Sequence, residues 1–382
     1  MKKLMAILLI CLLLASMATC AGAEDVIKIG LYSTITGSNA LAGEMMEKGG
    51  QLAIKQVNAA GGIGGVPLEL VVYDDKSTPE GAVKAVTRLV DVDQVIAIVG
   101  SNSSPNILAG APITEEAGVI QVGGGTSPSY TNAGFKYIFR GTTNARLPNK
   151  AFVDAMVEMG ATKVGILSVA SEYGKSGVGS VKELLPDSIQ VVAEEIYQST
   201  DTDYTGQIAK IISSGTDAVV LYGMTNELAL AIKQLRRNGY DGYIYGPEGL
   251  GVPDIINVAG EAANNVIFGS GAVIPATIED AVNDVEKKML EDFVAEYGQM
   301  PVSDVVYRGF DSVMLIAQAL KTAGDIHSPD SIREAFLNIT DFPGIAGHYN
   351  FSDGSGDGLS QARTYIISGG KNALFDAWKA AK

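Results

Sequence analysis

Imidazole and thiol are nearly absent from this chain: two histidines and two cysteines in 382 residues, beside a single tryptophan. Cys11 and Cys20 both fall within the first 23 residues, so a chain that loses that stretch has no disulfide and no thiolate chemistry, and packing alone must hold it together. His327 and His348 lie outside the loops that follow strands. A serine nucleophile therefore has no evident base, and a metal lacks ligands, which leaves neither enzyme chemistry nor a cofactor to expect. Basic residues are also short, 28 against 43 acidic ones for a formal net charge of −15. So acidic a surface repels phosphate backbones and excludes nucleic acid as a partner. Beyond Ala23 no apolar run approaches the roughly 20 residues a membrane helix requires.

What is present begins with Lys2 and Lys3, an apolar run from Leu4 to Leu14, and small residues ending in Ala21-Gly22-Ala23. That order is a secretory signal peptide, with cleavage expected after Ala23. The alternative uses Cys20 as a lipid-modified first residue, although Met17-Ala18-Thr19 lacks the leucine and small residue usual before such a cysteine. Either way the chain is expected outside the cytoplasm, in the periplasm or an equivalent space, free or anchored through Cys20. Cleavage leaves 359 residues with a net charge of −17, a length that suits two domains.

The remaining chain alternates short apolar runs with amphipathic stretches. Strands are expected at 26–32, 67–73, 95–99 and 119–122, with helices at 40–58, 79–92 and 104–117 between and after them. The rhythm restarts near residue 146, with strands at 163–169, 189–196, 217–222, 242–245 and 266–269 and helices at 146–160, 175–185, 204–214 and 226–238. Such alternation predicts an α/β protein of two doubly wound parallel sheets. Three amphipathic stretches, 279–297, 303–322 and 329–338, then follow without strands and are expected to return to the first lobe. The tail at 347–367 alternates like a hairpin, with Asp353-Gly354-Ser355-Gly356-Asp357-Gly358 as its turn. Thr364 stands where a calcium loop needs its bidentate glutamate, so that run does not fit a metal site.

Open α/β sheets bind ligands beyond the carboxyl ends of their strands, which directs attention to the loops there. Gly100-Ser101-Asn102-Ser103-Ser104-Pro105 opens a helix whose free N–H groups and dipole attract an anion; Ser103 or Ser104 equally suits a helix cap. Gly123-Gly124-Gly125-Thr126-Ser127-Pro128 lets a ligand approach the backbone, or is simply a flexible connection. It lacks the lysine of a phosphate cradle. In the second half, Ser171-Glu172-Tyr173-Gly174 and Gly246-Pro247-Glu248-Gly249 follow strands, and an aromatic ring with a carboxylate there suits an aliphatic chain and an ammonium. Glu248 between proline and glycines also suits a solvated loop. Donors in one lobe and an acceptor in the other describe a trap for a zwitterion, whose two charges need opposite partners once water leaves.

Val26-Ile27-Lys28-Ile29-Gly30 with Thr36-Gly37, Asn58-Ala59-Ala60-Gly61-Gly62-Ile63, Tyr73-Asp74-Asp75 with Pro79, Gly124-Gly125-Thr126-Ser127-Pro128, Glu172-Tyr173-Gly174 and Gly246-Pro247-Glu248-Gly249 occur in an order and spacing that is specific together. Through them nearly the whole chain after the leader resembles the leucine/isoleucine/valine-binding protein family, the type I periplasmic solute-binding proteins of ABC importers. The resemblance implies a receptor, not an enzyme, that closes on an α-amino acid, branched-chain or otherwise hydrophobic, and hands it to a membrane permease, acting as a monomer. It places the ligand carboxylate at Ser104 and Thr126 with the backbone of Gly124 and Gly125, the aromatic across the cleft at Tyr173, and the ammonium at Glu248. Ala42 and Met224 stand where the family often has aromatics, and are expected to face the ligand side chain. Crossovers near 143, 272 and 345 would divide the chain into a first lobe of 24–143 plus 273–344 and a second of 144–272 plus 345–382. Relatives of the same fold also act as sensors of amides or aromatic acids, a reading that export of this chain disfavours.

Overall fold

A computed structural model describes residues 26–37 and 39–382; the expected leader, its cleavage point and Cys20 lie outside the described residues. The first sheet is built from β1 (Ile27–Ser33), α1 (Ala40–Ala59), β2 (Leu68–Asp74), α2 (Pro79–Asp91), β3 (Ala97–Gly100), α3 (Ser104–Ala117), β4 (Ile120–Gly123) and β5 (Ile138–Arg140). Its five strands run parallel in the order β2-β1-β3-β4-β5. β3 and β4 are buried along their whole length, which is why they read as continuous apolar runs and not as alternating ones. β5 is only three residues long and escapes the hydrophobic pattern.

The second half follows the same plan: α4 (Arg146–Glu158), β6 (Lys163–Val169), α5 (Glu172–Leu184), β7 (Gln190–Tyr197), α6 (Thr205–Ser213), β8 (Ala218–Tyr222), α7 (Thr225–Arg237), β9 (Tyr243–Gly246), a 3-10 turn at Glu248–Gly251, α8 (Pro253–Ala259) and β10 (Val266–Ser270). The strands β7, β6, β8, β9 and β10 are parallel neighbours. Two late strands, Arg363–Ser368 and Lys371–Leu374, extend the sheet antiparallel beside β10.

The three late helices, α9 (Asp284–Tyr297), α10 (Val305–Thr322) and α11 (Pro329–Leu337), bury Met289, Leu290, Phe293, Val306, Phe310, Val313 and Phe336 with the apolar residues of β1, β3 and α1 in one core. Glycines decide how closely α10 approaches α1. A Cβ on Gly49 would sit 1.9 Å from the carbonyl oxygen of Val306, and one on Gly309 2.1 Å from that of Met46. The two backbones therefore touch where α10 begins, and this fixes the position of Arg308.

Two segments differ from the sequence expectation. Residues 345–382 were expected with the second lobe, yet Ile345, Tyr349, Phe351 and Leu359 belong to the core of the first sheet. β11 (Phe342–Pro343) and β12 (His348–Tyr349) form a small ladder there, and the chain reaches the second sheet only at β13 (Arg363–Ser368). The hairpin is likewise not the one expected. β13 pairs with β14 (Lys371–Leu374) around Gly369 and Gly370, both with left-handed φ near +61° and +77°, and α12 (Phe375–Ala380) closes the chain. The Asp353–Gly358 run instead docks on β5, where the amide of Arg140 donates to the Gly356 carbonyl at 2.8 Å. Alternation in the sequence reported extended backbone in both stretches but not its partner. Among the described residues, no helix is long and apolar enough to cross a membrane.

Candidate functional site

β3 and β4 deliver two loops to one end of the first sheet. In the first, the Ser101 hydroxyl donates to buried Asp75 at 2.6 Å, and the Asn102 side-chain oxygen accepts from the Thr34 amide at 3.2 Å. These contacts aim the start of α3 at the second loop. Neither serine caps the helix: Ser103 occupies the cap position without a side-chain bond, while the Ser104 hydroxyl accepts the Ser127 amide at 3.1 Å. With its lone pair so used, the Ser104 hydroxyl has its proton free to donate.

The glycine loop is held from behind, not flexible. The carbonyl of Gly123 accepts from the Gly141 amide at 2.9 Å and that of Thr126 from the Ala145 amide at 2.9 Å. Gly124 accepts from Arg308 Nη1 at 3.1 Å, Gly125 from the Tyr130 hydroxyl at 2.6 Å and from Arg140 Nη1, and Ser127 from Arg140 Nη2 at 2.8 Å. With five successive carbonyls turned into the protein, the amides of Gly125 and Thr126 and the half-buried Thr126 hydroxyl find no acceptor among the described residues. Donors gathered this way at a helix start make a nest for an anion. Gly125 is required there, because a Cβ would lie 2.4 Å from Ser104 Oγ.

Arg140 is the brace. It comes from the end of β5 and is fully buried, stacks 4.2 Å from the Tyr130 ring centroid, and pairs with Asp357, which also accepts from Asn144 at 3.0 Å. Its Nη2 reaches Thr131 as well, at 3.0 Å.

On the second sheet, Glu248 begins the 3-10 turn after β9, half-buried. Burial raises its pKa above the ordinary carboxylate range; the charge of Arg308 opposes that shift and the charge of Asp304 adds to it. Both of these neighbours belong to the first lobe's side of the gap, at the start of α10. Tyr173 lies in the first turn of α5, not in a loop, 40% exposed, with its ring 5.1 Å from that of Tyr222. Burial first, then Tyr222 and Glu248, push the Tyr173 phenol up; burial lifts Tyr222 to about 12, and its hydroxyl donates to Asn149 at 2.9 Å. Glu248, Arg308, Asp304, Ser270 and Ser303 line a pocket of about 160 Å³ together with the apolar Val252, Val273, Ile274 and Val302.

Ser104, Gly124, Gly125 and Thr126 thus form one cluster, and Tyr173 and Glu248 stand in mutual electrostatic reach on the other lobe. Among the described residues, no hydrogen bond or pocket lining ties Ala42 or Met224 to either group. Ala42 sits in the first turn of α1, half-buried against the core of the first sheet. Met224 caps α7 and is 56% exposed, its amide donating to Glu227 at 2.9 Å. Arg308, Asp304 and Arg140 escaped the sequence reading. A charged residue inside the apolar pattern of α10, and another closing the run Tyr137-Ile138-Phe139, were the available signals.

Two doubly wound sheets, linked by Arg308, which bonds the Gly124 carbonyl of one side and shares a pocket with Glu248 of the other, have the architecture of a two-lobed receptor for a small solute. The chain belongs to the periplasmic binding protein family, whose pattern it matches over residues 26–371, within the group that contains the leucine/isoleucine/valine-binding proteins. It is 31% identical over 344 residues, 89% of each chain, to the leucine-, isoleucine-, valine-, threonine- and alanine-binding protein of Pseudomonas aeruginosa. Among solved structures, it resembles the branched-chain amino acid transporter substrate-binding protein of Streptococcus pneumoniae in complex with isoleucine, at 31% identity and a TM-score of 0.74, covering 92% of this chain and 99% of that one. A leucine-binding protein of Thermotoga maritima matches at 27% identity and a TM-score of 0.72, covering 91% and 97%.

Proposed function

We propose that this protein is an exported receptor that closes its lobes on an α-amino acid with an aliphatic side chain and presents it to the permease of an ABC importer. The observation that carries this reading is the loop from Gly123 to Ser127, whose carbonyls are all occupied by protein donors while the Gly125 and Thr126 amides and the Ser104 proton remain for a carboxylate. Glu248 supplies the opposite pole for the ammonium. The apolar pocket beside it accommodates a branched side chain, in place of the positions at Ala42 and Met224. Tyr173 covers the ligand from the second lobe. The chain divides into lobes at Thr143, Ala272 and the stretch between Leu359 and Arg363, and rotation there excludes water and strengthens both charge contacts. Export through the leader, with or without a lipid at Cys20, puts the protein where an importer collects its solute. Turnover of the ligand is not expected, since His327 and His348 are both exposed away from the gap.

A thermal-shift series over leucine, isoleucine, valine, alanine and the corresponding amides and amines tests the proposal. A ligand at 100 times its Kd adds about 2.7 kcal/mol of stability by mass action, so the aliphatic acids should raise Tm clearly. Amides that stabilise as well as the acids would remove the carboxylate nest. At the level of one residue, Ser104→Ala should weaken leucine binding by about 1 to 3 kcal/mol, since it takes a donor from a buried carboxylate and an acceptor from Ser127. Calorimetry on the variant measures this, and an unchanged affinity would take Ser104 out of the site.

A further inference from the structure

We propose that Arg308 is a specificity-determining residue that bars cationic ligands, so that the receptor takes zwitterions with uncharged side chains and refuses lysine-like amino acids and simple amines. The proposal rests on the amino-acid reading of the site given above. Arg308 keeps 14% of its side chain exposed. Its Nε and Nη2 hold Asp304 Oδ2 at 3.2 and 2.7 Å, and its Nη1 holds the Gly124 carbonyl at 3.1 Å. Three of the five N–H groups of the guanidinium are therefore committed to the nest loop and to its own helix. The group cannot swing aside without stranding both partners.

Arg308 and Glu248 line the same pocket, and both also line the narrow gap formed with Thr142, Thr143 and Asp311; the charge of Arg308 acts on Glu248 directly. A zwitterion tolerates this fixed positive charge. Its carboxylate enters the nest beside Arg308 and its ammonium goes to Glu248, so opposite charges meet at both ends. A lysine ligand places a second ammonium among Val252, Val273, Ile274 and Val302, with Arg308 as the nearest full charge of like sign. Asp304 lines the same pocket, but its Oδ2 is held by Arg308, which offsets the negative charge it offers. An amine without a carboxylate brings a positive charge to the gap and leaves the nest empty. Rejection by a fixed like charge costs little for the correct ligand and much for the wrong one.

The test is calorimetry of leucine, lysine and 3-methylbutylamine against the full chain and its Arg308→Gln and Arg308→Lys variants. The unaltered protein should bind leucine and bind lysine at least about a hundredfold more weakly. Arg308→Gln should weaken leucine by about tenfold or less, because the Gly124 carbonyl loses its donor, and should shift the lysine-to-leucine ratio toward lysine by about tenfold or more. Arg308→Lys restores the charge and should restore the ratio, an outcome that a merely structural role does not give. Lysine binding as tightly as leucine in the unaltered protein overturns the inference, as does an unchanged ratio in a folded Arg308→Gln. Should that variant not fold, Asp304→Asn serves: it bares the positive charge and should deepen the rejection of lysine, and an unchanged ratio refutes the proposal. Failure of the unaltered protein to bind any amino acid would instead refute the function from which the inference starts.

Discussion

Glu248→Ala should weaken amino-acid binding by about 2 to 5 kcal/mol, the range for removing one partner of a desolvated charge pair. The loss has two sources: the ligand ammonium is left without an acceptor in a gap closed to water, and Arg308 faces it with nothing opposite. Titration calorimetry with leucine at neutral pH measures the effect, and an affinity within about twofold of the parent, or roughly 0.4 kcal/mol, would remove Glu248 from the site. The pH profile gives an independent sign. Burial holds the carboxyl of Glu248 above its ordinary value, with Arg308 pulling down and Asp304 pushing up, while the phenols of Tyr173 and Tyr222 titrate far higher and stay neutral. The ammonium requires the ionised carboxylate. Affinity should therefore be full above the raised pKa and fall as pH drops through it, starting at a higher pH than an exposed glutamate would give. Glu248→Gln should flatten that acid limb while keeping the shape of the side chain. A limb that survives the substitution assigns the titration to another group.

The parts of this molecule that were legible in the sequence are those that local pattern determines. α3 begins at Ser104 and ends at Ala117 as the spacing requires, because Pro105 suits a first turn and Gly118 adopts the left-handed φ of +68° that ends a helix. The nest could be located in the same way, since strand ends in a parallel sheet are where glycine and hydroxyl residues have room to meet a ligand. What stayed hidden depends on contacts between distant residues. Asp357 lies 217 positions from Arg140, and Arg308 lies 184 from Gly124. Neither pairing leaves a periodic trace. Ala42 falls in the first turn of α1, half-buried against the first core, because the loop after β1 is short and the helix begins at Ala40. The late segment from Ile345 to Leu359 shows alternation that fits either lobe, and only the packing of Phe351 against Phe139 and Phe336, with Tyr349 stacked on Phe351, decides between them.

Arg140→Met should cost the folded protein about 3 to 5 kcal/mol, the usual result of stranding one member of a buried ion pair. Methionine fills most of the volume but donates nothing, so Asp357, the Gly125 and Ser127 carbonyls and the Thr131 hydroxyl all lose a partner, the Gly125 carbonyl in the buried interior and the others at its partly exposed edge. Urea unfolding followed by circular dichroism measures this loss, and a value below about 1 kcal/mol would show that Arg140 is not a brace. Pairing the change with Asp357→Leu separates stability from binding. Removing both charges together should recover part of the stability, because no uncompensated carboxylate remains. It should not recover leucine binding, because the Ser127 carbonyl then has no donor and the Gly125 carbonyl keeps only the Tyr130 hydroxyl, so the intervening amides lose the orientation a carboxylate needs. A double variant that binds like the parent would mean that the loop finds its shape through Gly123, Gly124 and Thr126 alone. The carboxylate grip would then owe its form to the first crossover and to Arg308, and not to the strand end that β5 supplies.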